Sequence, residues 1–231
     1  HASEPGVTVV AVNWNSLDFL STWLEAVERF TPEPHTTMII DNNSSDGSKQ
    51  FLREQVGVSS IFLPFNVGHG PALDLAIRRA QTETVVVLDI DAIPISAAWL
   101  SEVLDPLESG AKIAGAHWQR DFIHPCFLAV KRSDYLDCGL TFRRFGYQPT
   151  GSRRRTPFFL DVGEAMSQRL MVEYSKAALH RIPVTSTRGP NWIGTVFGDV
   201  VYHNFYSTHG QGSTREIAAE AWEEAKNLYL S

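Results

Sequence analysis

Asp89 and Asp91 are the residues whose type and spacing best suit chemistry. They are separated by Ile90 and directly follow the most apolar run of the chain, residues 84–88. Two carboxylates this close to a buried segment repel each other and lose hydration, so a cation between them would relieve both costs. Mg²⁺ or Mn²⁺ prefers oxygen ligands and keeps positions open for a phosphate-bearing substrate. A polar loop that precedes a helix capped by Ser96 would explain the pair equally well.

Two further polar clusters follow apolar runs in the same way. Asn13 ends the β-branched run 7–12, and Asp41 ends the short run 38–40. Ligands bind beyond the carboxyl ends of the strands in an open parallel sheet. We therefore expect Asn13, Asp41 and the Asp89–Asp91 pair to converge at one sheet edge.

The elements that would position these residues alternate between strand and helix periodicity. Such alternation predicts an α/β fold, an open and mostly parallel sheet with helices on both faces. The predicted strands of the first half are residues 7–12, 38–40, 58–63 and 84–88, and the predicted helices begin after Ser16 and span 48–55 and 72–80. In the second half we predict strands at 127–130 and 196–205, a helix within 158–171, and a C-terminal helix that begins at a capping box, Ser213 to Glu216.

Composition excludes several classes of protein. The chain has 231 residues, 43% of them hydrophobic, and a net charge of −6, which disfavours nonspecific nucleic-acid binding. Neither a membrane-spanning run nor a secretory signal is visible, so we expect a cytoplasmic protein, with peripheral membrane attachment as an alternative. Cys126 and Cys138 are too few for a disulfide scaffold, and we expect two reduced thiols. No repeat or linker interrupts the sequence, which predicts one domain over residues 1–231.

Four segments, in order, resemble the motifs of family 2 glycosyltransferases. They are residues 7–13 (VTVVAVN), 40–48 (IDNNSSDGS), 66–72 (NVGHGPA) and 88–92 (LDIDA). The resemblance implies the GT-A (nucleotide-diphospho-sugar transferase) fold, with residues 7–100 as the nucleotide-sugar half and 101–231 as the acceptor half. It also implies a metal-dependent, inverting transfer of a hexosyl or N-acetylhexosaminyl group from a nucleotide-sugar, with UDP-sugars favoured, to an acceptor hydroxyl.

The resemblance implies roles for single residues at the donor. Asp41 would accept a hydrogen bond from the nucleobase, although it could instead cap the helix at Ser48. The family usually carries Asn at the position of Asp74. The implied nucleotide-sugar-binding residues are Val12, Asn13, Asp41, Asn43, Asn66, Gly68, Asp89 and Ile90.

The resemblance also implies a metal ligand and a catalytic base in the second half. Asp91 and a late histidine would hold Mn²⁺ or Mg²⁺; His203 is our candidate, His209 the fallback, and a structural role for the histidine is the alternative. The base would lie in an acidic motif that opens a helix, where Asp161 is preferred over Glu164. Leu160 departs from the acidic pair common in the family, and either acid could instead cap the helix.

The acceptor is not identified by these motifs. The segment 143–155 contains five of the 15 arginines and could close over the diphosphate, recognise an anionic acceptor, or be merely solvated. Rings that could stack on sugars are His117, Trp118, His124 and Trp192, although buried aromatics more often belong to the core. The main alternative function is a non-catalytic nucleotide- or sugar-binding protein with the same fold. A dehalogenase-like phosphatase and a sugar nucleotidyltransferase fit the motifs poorly.

Overall fold

Strands and helices alternate along the first half of this computed structural model, which describes residues 4–143, 146–147, 158–205 and 212–231. The strands are β1 (Glu4–Asn13), β2 (His35–Asp41), β3 (Val58–Phe62), β4 (Thr82–Leu88), β5 (Ala92–Pro94), β6 (Ile113–Trp118), β7 (Phe122–Lys131), β8 (Gly146–Tyr147), β9 (Phe158–Phe159), β10 (Leu179–Ile182), β11 (Val184–Thr187), β12 (Thr195–Phe197) and β13 (Val201–His203). The α-helices are α1 (Leu17–Phe30), α2 (Ser48–Glu54), α3 (His69–Arg79), α4 (Ser101–Glu108), α5 (Arg132–Asp137), α6 (Glu164–Tyr174) and α7 (Ser213–Tyr229).

The central layer is a seven-stranded sheet with the strand order β10-β6-β7-β4-β1-β2-β3. Only β7 runs against its neighbours in this sheet, which confirms the mostly parallel arrangement. Parallel strands with helices on both faces need apolar side chains on both sides. In β1, Val9 and Ala11 enter one core, whereas Val10 and Val12 enter the other.

Helices cover both faces of this sheet. Helices α1 and α4 bury Trp23 and Val103 in the first core. Helices α3 and α6 bury Leu73 and Leu170 in the second. Ser16 lies at the start of α1, but its hydroxyl donates to Trp14 O, while the Leu17 N–H donates to Asp46 Oδ2. A side chain from another segment therefore caps α1.

A second, four-stranded antiparallel sheet has the order β11-β12-β13-β5. The pairing of β13 with β5 sets His203 opposite Ala92, the residue after Asp91. Helix α7 packs on this sheet through Trp222, and it accepts hydrogen bonds at Ala218 O and Ala221 O from Asn204 and Tyr202. The small sheet therefore joins the end of β4 to the C-terminal part of the chain.

Several sequence expectations differ from the structure in detail. Helix α3 begins at His69 rather than 72, since Pro71 is tolerated in the first turn of a helix. The single strand expected at 196–205 is two strands, because Gly198 and Asp199 have φ of 58° and form a turn. The prediction of a capping box at Ser213 to Glu216 was wrong, because Ser213 is already helical and Gly212 lies at the N-cap position.

Other elements follow the sequence more closely or were not anticipated. The four strands and three helices expected in the first half are confirmed as β1 to β4 and α1 to α3, although β4 is followed by β5 before the next helix. Helix α6 begins only at Glu164 and extends to Tyr174, and the sequence did not indicate β6. Cys126 and Cys138 are unpaired, as expected. Within the described ranges, every helix is too short or too polar to span a bilayer.

Candidate functional site

The carboxyl ends of β1 and β2 carry the first half of the candidate site. The register sets Asn13 opposite Asp41. The Asn13 amide donates from Nδ2 to Asp41 Oδ1 over 2.9 Å and to Ser44 Oγ over 3.0 Å. Val12 and Ile90 are buried in opposite cores, so only their backbones are available to a ligand.

Asp41 has no exposed area and is engaged at both carboxylate oxygens. Its Oδ2 accepts the Ser44 N–H over 3.0 Å, in addition to the bond from Asn13 at Oδ1. The helix that begins at Ser48 is capped by Asp46, whose Oδ1 accepts the Ser48 N–H. Asp41 therefore does not cap that helix. The buried Asn13 Oδ1 has no hydrogen-bond partner among the described residues.

Asn42, which was not among the residues expected at the site, connects β2 to the loop before α3. Its Nδ2 donates to Asn66 Oδ1 and its Oδ1 accepts the Val67 N–H, both over 2.9 Å. Asn66 Oδ1 also accepts the Gly68 N–H over 2.8 Å, and Gly68 has a φ of 88° that favours glycine. The expected residue Asn43 is exposed and accepts a bond from Lys49 instead.

Asp89, Asp91 and His203 form the one group of potential metal ligands found in the part of the chain that the structure describes. One ligand atom from each lies within 4.8 Å of the others. His203 Nε2 is 3.2 Å from Asp91 Oδ1 and 3.9 Å from Asp89 Oδ2. The β13–β5 pairing and the Asn204 N–H, which donates to Asp91 O, hold the two segments together. Two carboxylates and an imidazole suit a divalent cation.

Two further histidines lie beside this group. His69 Nε2 is 3.2 Å from Asp89 Oδ1. Burial acts to raise the pKa of the Asp89 carboxyl, but the surrounding imidazoles, His69 foremost, outweigh it and hold the pKa well below its usual range. Burial lowers the pKa of His124 to about 4, and its Nδ1 accepts the Cys126 N–H over 3.0 Å. At neutral pH the His124 ring is therefore neutral and carries its proton on Nε2.

Asp161 and Glu164 lie together at the start of α6 but differ in environment. Glu164 is 2% exposed and accepts the Asp161 N–H over 2.9 Å. Its Oε2 forms an ion pair with Arg120 Nη2 at 3.0 Å, and its Oε1 accepts a hydrogen bond from Gln168 Nε2 over 3.3 Å. Asp161 is half-buried, accepts the Val162 N–H, and interacts electrostatically with His124. Asp161 therefore lies within electrostatic reach of His124, whereas three protein groups contact the carboxylate of Glu164.

Asp74, where the family usually carries Asn, clamps the segment that leads to the arginine-rich residues. Its Oδ1 accepts the Tyr135 hydroxyl over 2.6 Å and the Phe142 N–H over 2.7 Å. Its Oδ2 accepts the Thr141 hydroxyl over 2.6 Å. Gly70 supports the same contact, because a Cβ there would lie 2.5 Å from Phe142 O. Asp74 is therefore a structural residue.

Replacing Asp74 with Ala removes the acceptor for three hydrogen bonds, two of them from buried donors. We expect a loss of about 2–4 kcal/mol in the free energy of unfolding. Thermal denaturation should show this as a Tm decrease of roughly 4–16 °C. Asp74→Asn keeps Oδ1 as an acceptor and should lose less than half of that. An Asp74→Ala protein with the wild-type Tm would contradict the assignment.

The structure describes the candidate sugar-stacking rings but only part of the other remaining candidates. His117 lies 3.4 Å from Asp121, and Trp118, His124 and Trp192 belong to one group of rings. The fallback ligand His209 and most of segment 143–155 lie outside the described residues; Arg143 is described and its Nε is 3.8 Å from Asp74 Oδ2.

Several solved structures have a similar fold, among them a mannosyltransferase and a glucosyl-3-phosphoglycerate synthase. A mannosyltransferase from Pyrobaculum calidifontis, solved with GDP-Man and Mn²⁺, superposes with a TM-score of 0.58 at 16% identity, over 82% of this chain and 61% of that protein. Glucosyl-3-phosphoglycerate synthase from Mycobacterium tuberculosis was solved with Mn²⁺, UDP and glucosyl-3-phosphoglycerate. It superposes with a TM-score of 0.57 at 13% identity, over 78% of this chain and 70% of that protein. Residues 1–349 of S. aureus TarS superpose with a TM-score of 0.50 at 14% identity, over 60% of this chain and 50% of that one.

These similarities identify the fold as GT-A. The chain spans about three fifths of the length of the mannosyltransferase. No curated protein sequence matches it. The sequence profile described as Glycosyl transferase family 2 matches residues 8–166, which include the Asn13–Asp41 network, the Asp89–Asp91 pair and Asp161. Because the match extends over more than half of the chain, the protein belongs to glycosyl transferase family 2.

Proposed function

We propose that the protein transfers a sugar from a nucleoside-diphosphate sugar to an acceptor hydroxyl, with inversion and with a divalent metal. The observation that carries the proposal is the Asp89–Asp91–His203 group, at the same sheet edge as the Asn13–Asp41 network. Carboxylates that can hold a cation next to a nucleoside subsite suit a diphosphate better than any uncharged ligand.

The donor atoms of this group fit a divalent ion. Two carboxylates supply oxygen ligands, and His203 supplies nitrogen from a side chain that is almost fully buried. A nitrogen ligand is unusual for Mg²⁺, so Mn²⁺ is the first expectation and Mg²⁺ the second. When bound, the ion would neutralise charge that develops on the leaving diphosphate. Asp91 and His203 would hold it, and Asp89 would hold it or the ribose.

Asp161 is our candidate for the general base. The acceptor hydroxyl must lose its proton as it attacks the anomeric carbon from the face opposite the diphosphate, so one carboxylate with access to that proton is needed. Asp161 is half-buried and interacts electrostatically with His124, which also interacts with Asp89. Glu164 accepts from three protein donors and would instead hold the start of α6 in place.

For the nucleobase we propose Asn13 as the direct contact and Asp41 as the residue that orients it. Asp41 accepts only, so the bond to Asp41 Oδ1 fixes the Asn13 amide with Nδ2 toward β2. Asn13 Oδ1 is then an acceptor without a partner. The imide N–H of uracil or thymine, or an N–H of guanine, would satisfy it. The Asn66–Gly68 loop, held by Asn42, would lie against the nucleoside.

Nucleotide binding tests this proposal most directly. We expect one of UDP, GDP and dTDP to raise the Tm only when Mn²⁺ is present, with UDP the first candidate. A ligand at 100 times its Kd stabilises the folded state by about 2.7 kcal/mol, which corresponds to about 5–10 °C for a chain of this size. Omission of Mn²⁺ is the control. If no nucleotide shifts the Tm, the donor-site assignment is wrong.

The turnover of the matching nucleotide-sugars separates an enzyme from a non-catalytic binding protein. UDP-glucose, UDP-galactose, UDP-N-acetylglucosamine and GDP-mannose form a suitable panel. Release of nucleoside diphosphate, measured over time with wild-type protein and Mn²⁺, is expected for one of them. Tight nucleotide binding without release from any sugar or acceptor would favour the non-catalytic alternative.

A further inference from the structure

A group of aromatic rings adjoins the Asp89–Asp91–His203 group. Trp118 stacks on Phe205 at 4.5 Å between centroids and meets Trp192 edge-on at 5.3 Å. His124 lies 5.9 Å from Trp118 and 5.6 Å from Phe205. We call Trp118, His124, Trp192 and Phe205 the aromatic platform.

The aromatic platform is continuous with the candidate metal ligands. The centroids of the Phe205 and His203 rings are 3.8 Å apart. His203 Nε2 is in turn 3.2 Å from Asp91 Oδ1. His124 also interacts electrostatically with Asp161. A molecule that rests on the platform would therefore lie beside the proposed metal ligands and within electrostatic reach of the proposed base.

Trp192 is the exposed member of the platform, and the backbone holds it in an unfavourable conformation. Asn191 has a φ of 55°, which asparagine tolerates, but Trp192 has a φ of 68°, which a bulky residue rarely adopts. The turn is fixed by the Thr195 hydroxyl, which donates to Trp192 O over 2.6 Å, and by the Gly189 N–H, which donates to Ile193 O over 2.9 Å. Backbone strain that the surroundings maintain concentrates at ligand-binding sites.

The indole of Trp192 is only partly covered by its neighbours, so packing in the core does not account for a tryptophan at this position. Its side chain is 41% exposed, and its contact with Trp118 is edge-on at 71°, so the indole is not sandwiched between other rings. Polar groups border the platform where the Phe205 ring adjoins His203, which in turn contacts Asp91. An indole surface with a polar border suits a ligand that has an apolar face and hydrogen-bonding groups at its edge.

We propose that the aromatic platform is the acceptor subsite and that it binds a carbohydrate ring, with Trp192 stacked on the apolar C–H face of the sugar. A pyranose has such a face, with hydroxyls around it for the polar border and for Asp161. A small, ringless anionic acceptor would gain nothing from the indole. This inference rests on the proposed sugar transfer and names the substrate class for the hydroxyl-bearing partner.

The test compares wild type with Trp192→Ala, Trp192→Phe and Tyr174→Ala. Tyr174 is 47% exposed and ends α6, at the opposite end of the helix from the candidate base, so Tyr174→Ala is a control of similar exposure away from the platform. The probes are a panel of methyl glycosides and disaccharides, with 3-phosphoglycerate as the ringless anion. Binding is followed by saturation-transfer NMR, and acceptor-stimulated release of nucleoside diphosphate is followed in parallel.

We expect at least one glycoside to bind and to stimulate release. Trp192→Ala should weaken its binding and raise its KM about tenfold, equivalent to about 1.4 kcal/mol, without changing the Kd of the nucleotide. Trp192→Phe should retain most of the affinity, and Tyr174→Ala should match wild type. Melting curves verify that each variant is folded.

Three outcomes overturn the inference. They are binding of no glycoside to wild type, unchanged glycoside affinity in Trp192→Ala, and stimulation by 3-phosphoglycerate alone. In each of these cases normal Mn²⁺-dependent nucleotide binding would leave the proposed sugar transfer intact. Absence of nucleotide binding would contradict the sugar transfer, while the NMR experiment would still decide whether Trp192 binds a carbohydrate.

Discussion

Asp161→Asn is expected to lower kcat by about 10²–10⁴ while the Tm and the Mn²⁺-dependent affinity for nucleotide stay at wild-type values. General-base catalysis contributes an effect of this size, and an amide cannot accept the proton of the acceptor hydroxyl. The substitution keeps the shape of the side chain, and its Oδ1 can still accept the Val162 N–H. The measurement is the initial rate of nucleoside diphosphate release with saturating donor and acceptor.

Glu164→Gln is the matched control, at the first residue of α6 and three residues after Asp161. Its carboxylate is buried against Arg120, the Asp161 N–H and Gln168. Loss of its charge weakens the pair with Arg120, so we expect a lower Tm and a kcat that falls much less than in Asp161→Asn. The opposite result, a stable Glu164→Gln protein without activity beside an active Asp161→Asn protein, would move the base to Glu164.

The convergence of Asn13 and Asp41, in the proposed donor half of the site, could be predicted from the sequence because strand ends determine it. Asn13 and Asp41 follow apolar runs, and parallel pairing in register brings them into contact. Side-chain direction beyond a strand end was less predictable. The sequence favoured Asn43, yet Asn43 has a φ of 65° and is exposed, while its neighbour Asn42 holds the loop.

The rest of the site depends on contacts between residues far apart in the sequence. His203 contacts Asp91, 112 positions away, because two three-residue strands pair, and no local pattern encodes that register. The sequence did not predict that His69 belongs to the site, because Pro71 suggested a loop where α3 begins. Asp74 departs from the family pattern, and its role depends on Tyr135 and Phe142, which the sequence does not place beside it.

Asp91→Asn is expected to abolish the Mn²⁺-dependent Tm shift with nucleotide and to lower kcat about 10³-fold or more. A metal that stabilises the leaving group contributes several kcal/mol, and each 1.36 kcal/mol is a factor of ten in rate. The amide is a weaker ligand without charge. Because Asn has the volume of Asp and can still accept from His203 through Oδ1, the metal-free protein should remain folded with little change in Tm.

Matched controls for this substitution lie outside the candidate site. Asp134→Asn removes a carboxylate that pairs with Lys112 at 2.6 Å, and His180→Ala removes an exposed histidine on β10. Neither should change Mn²⁺ affinity, measured by electron paramagnetic resonance titration, whereas His203→Ala should weaken it. If Asp91→Asn and His203→Ala bound Mn²⁺ like wild type, the ion would be held elsewhere. The β13–β5 pairing would then have only a structural role, and Asp161 would lie near no metal at this sheet edge.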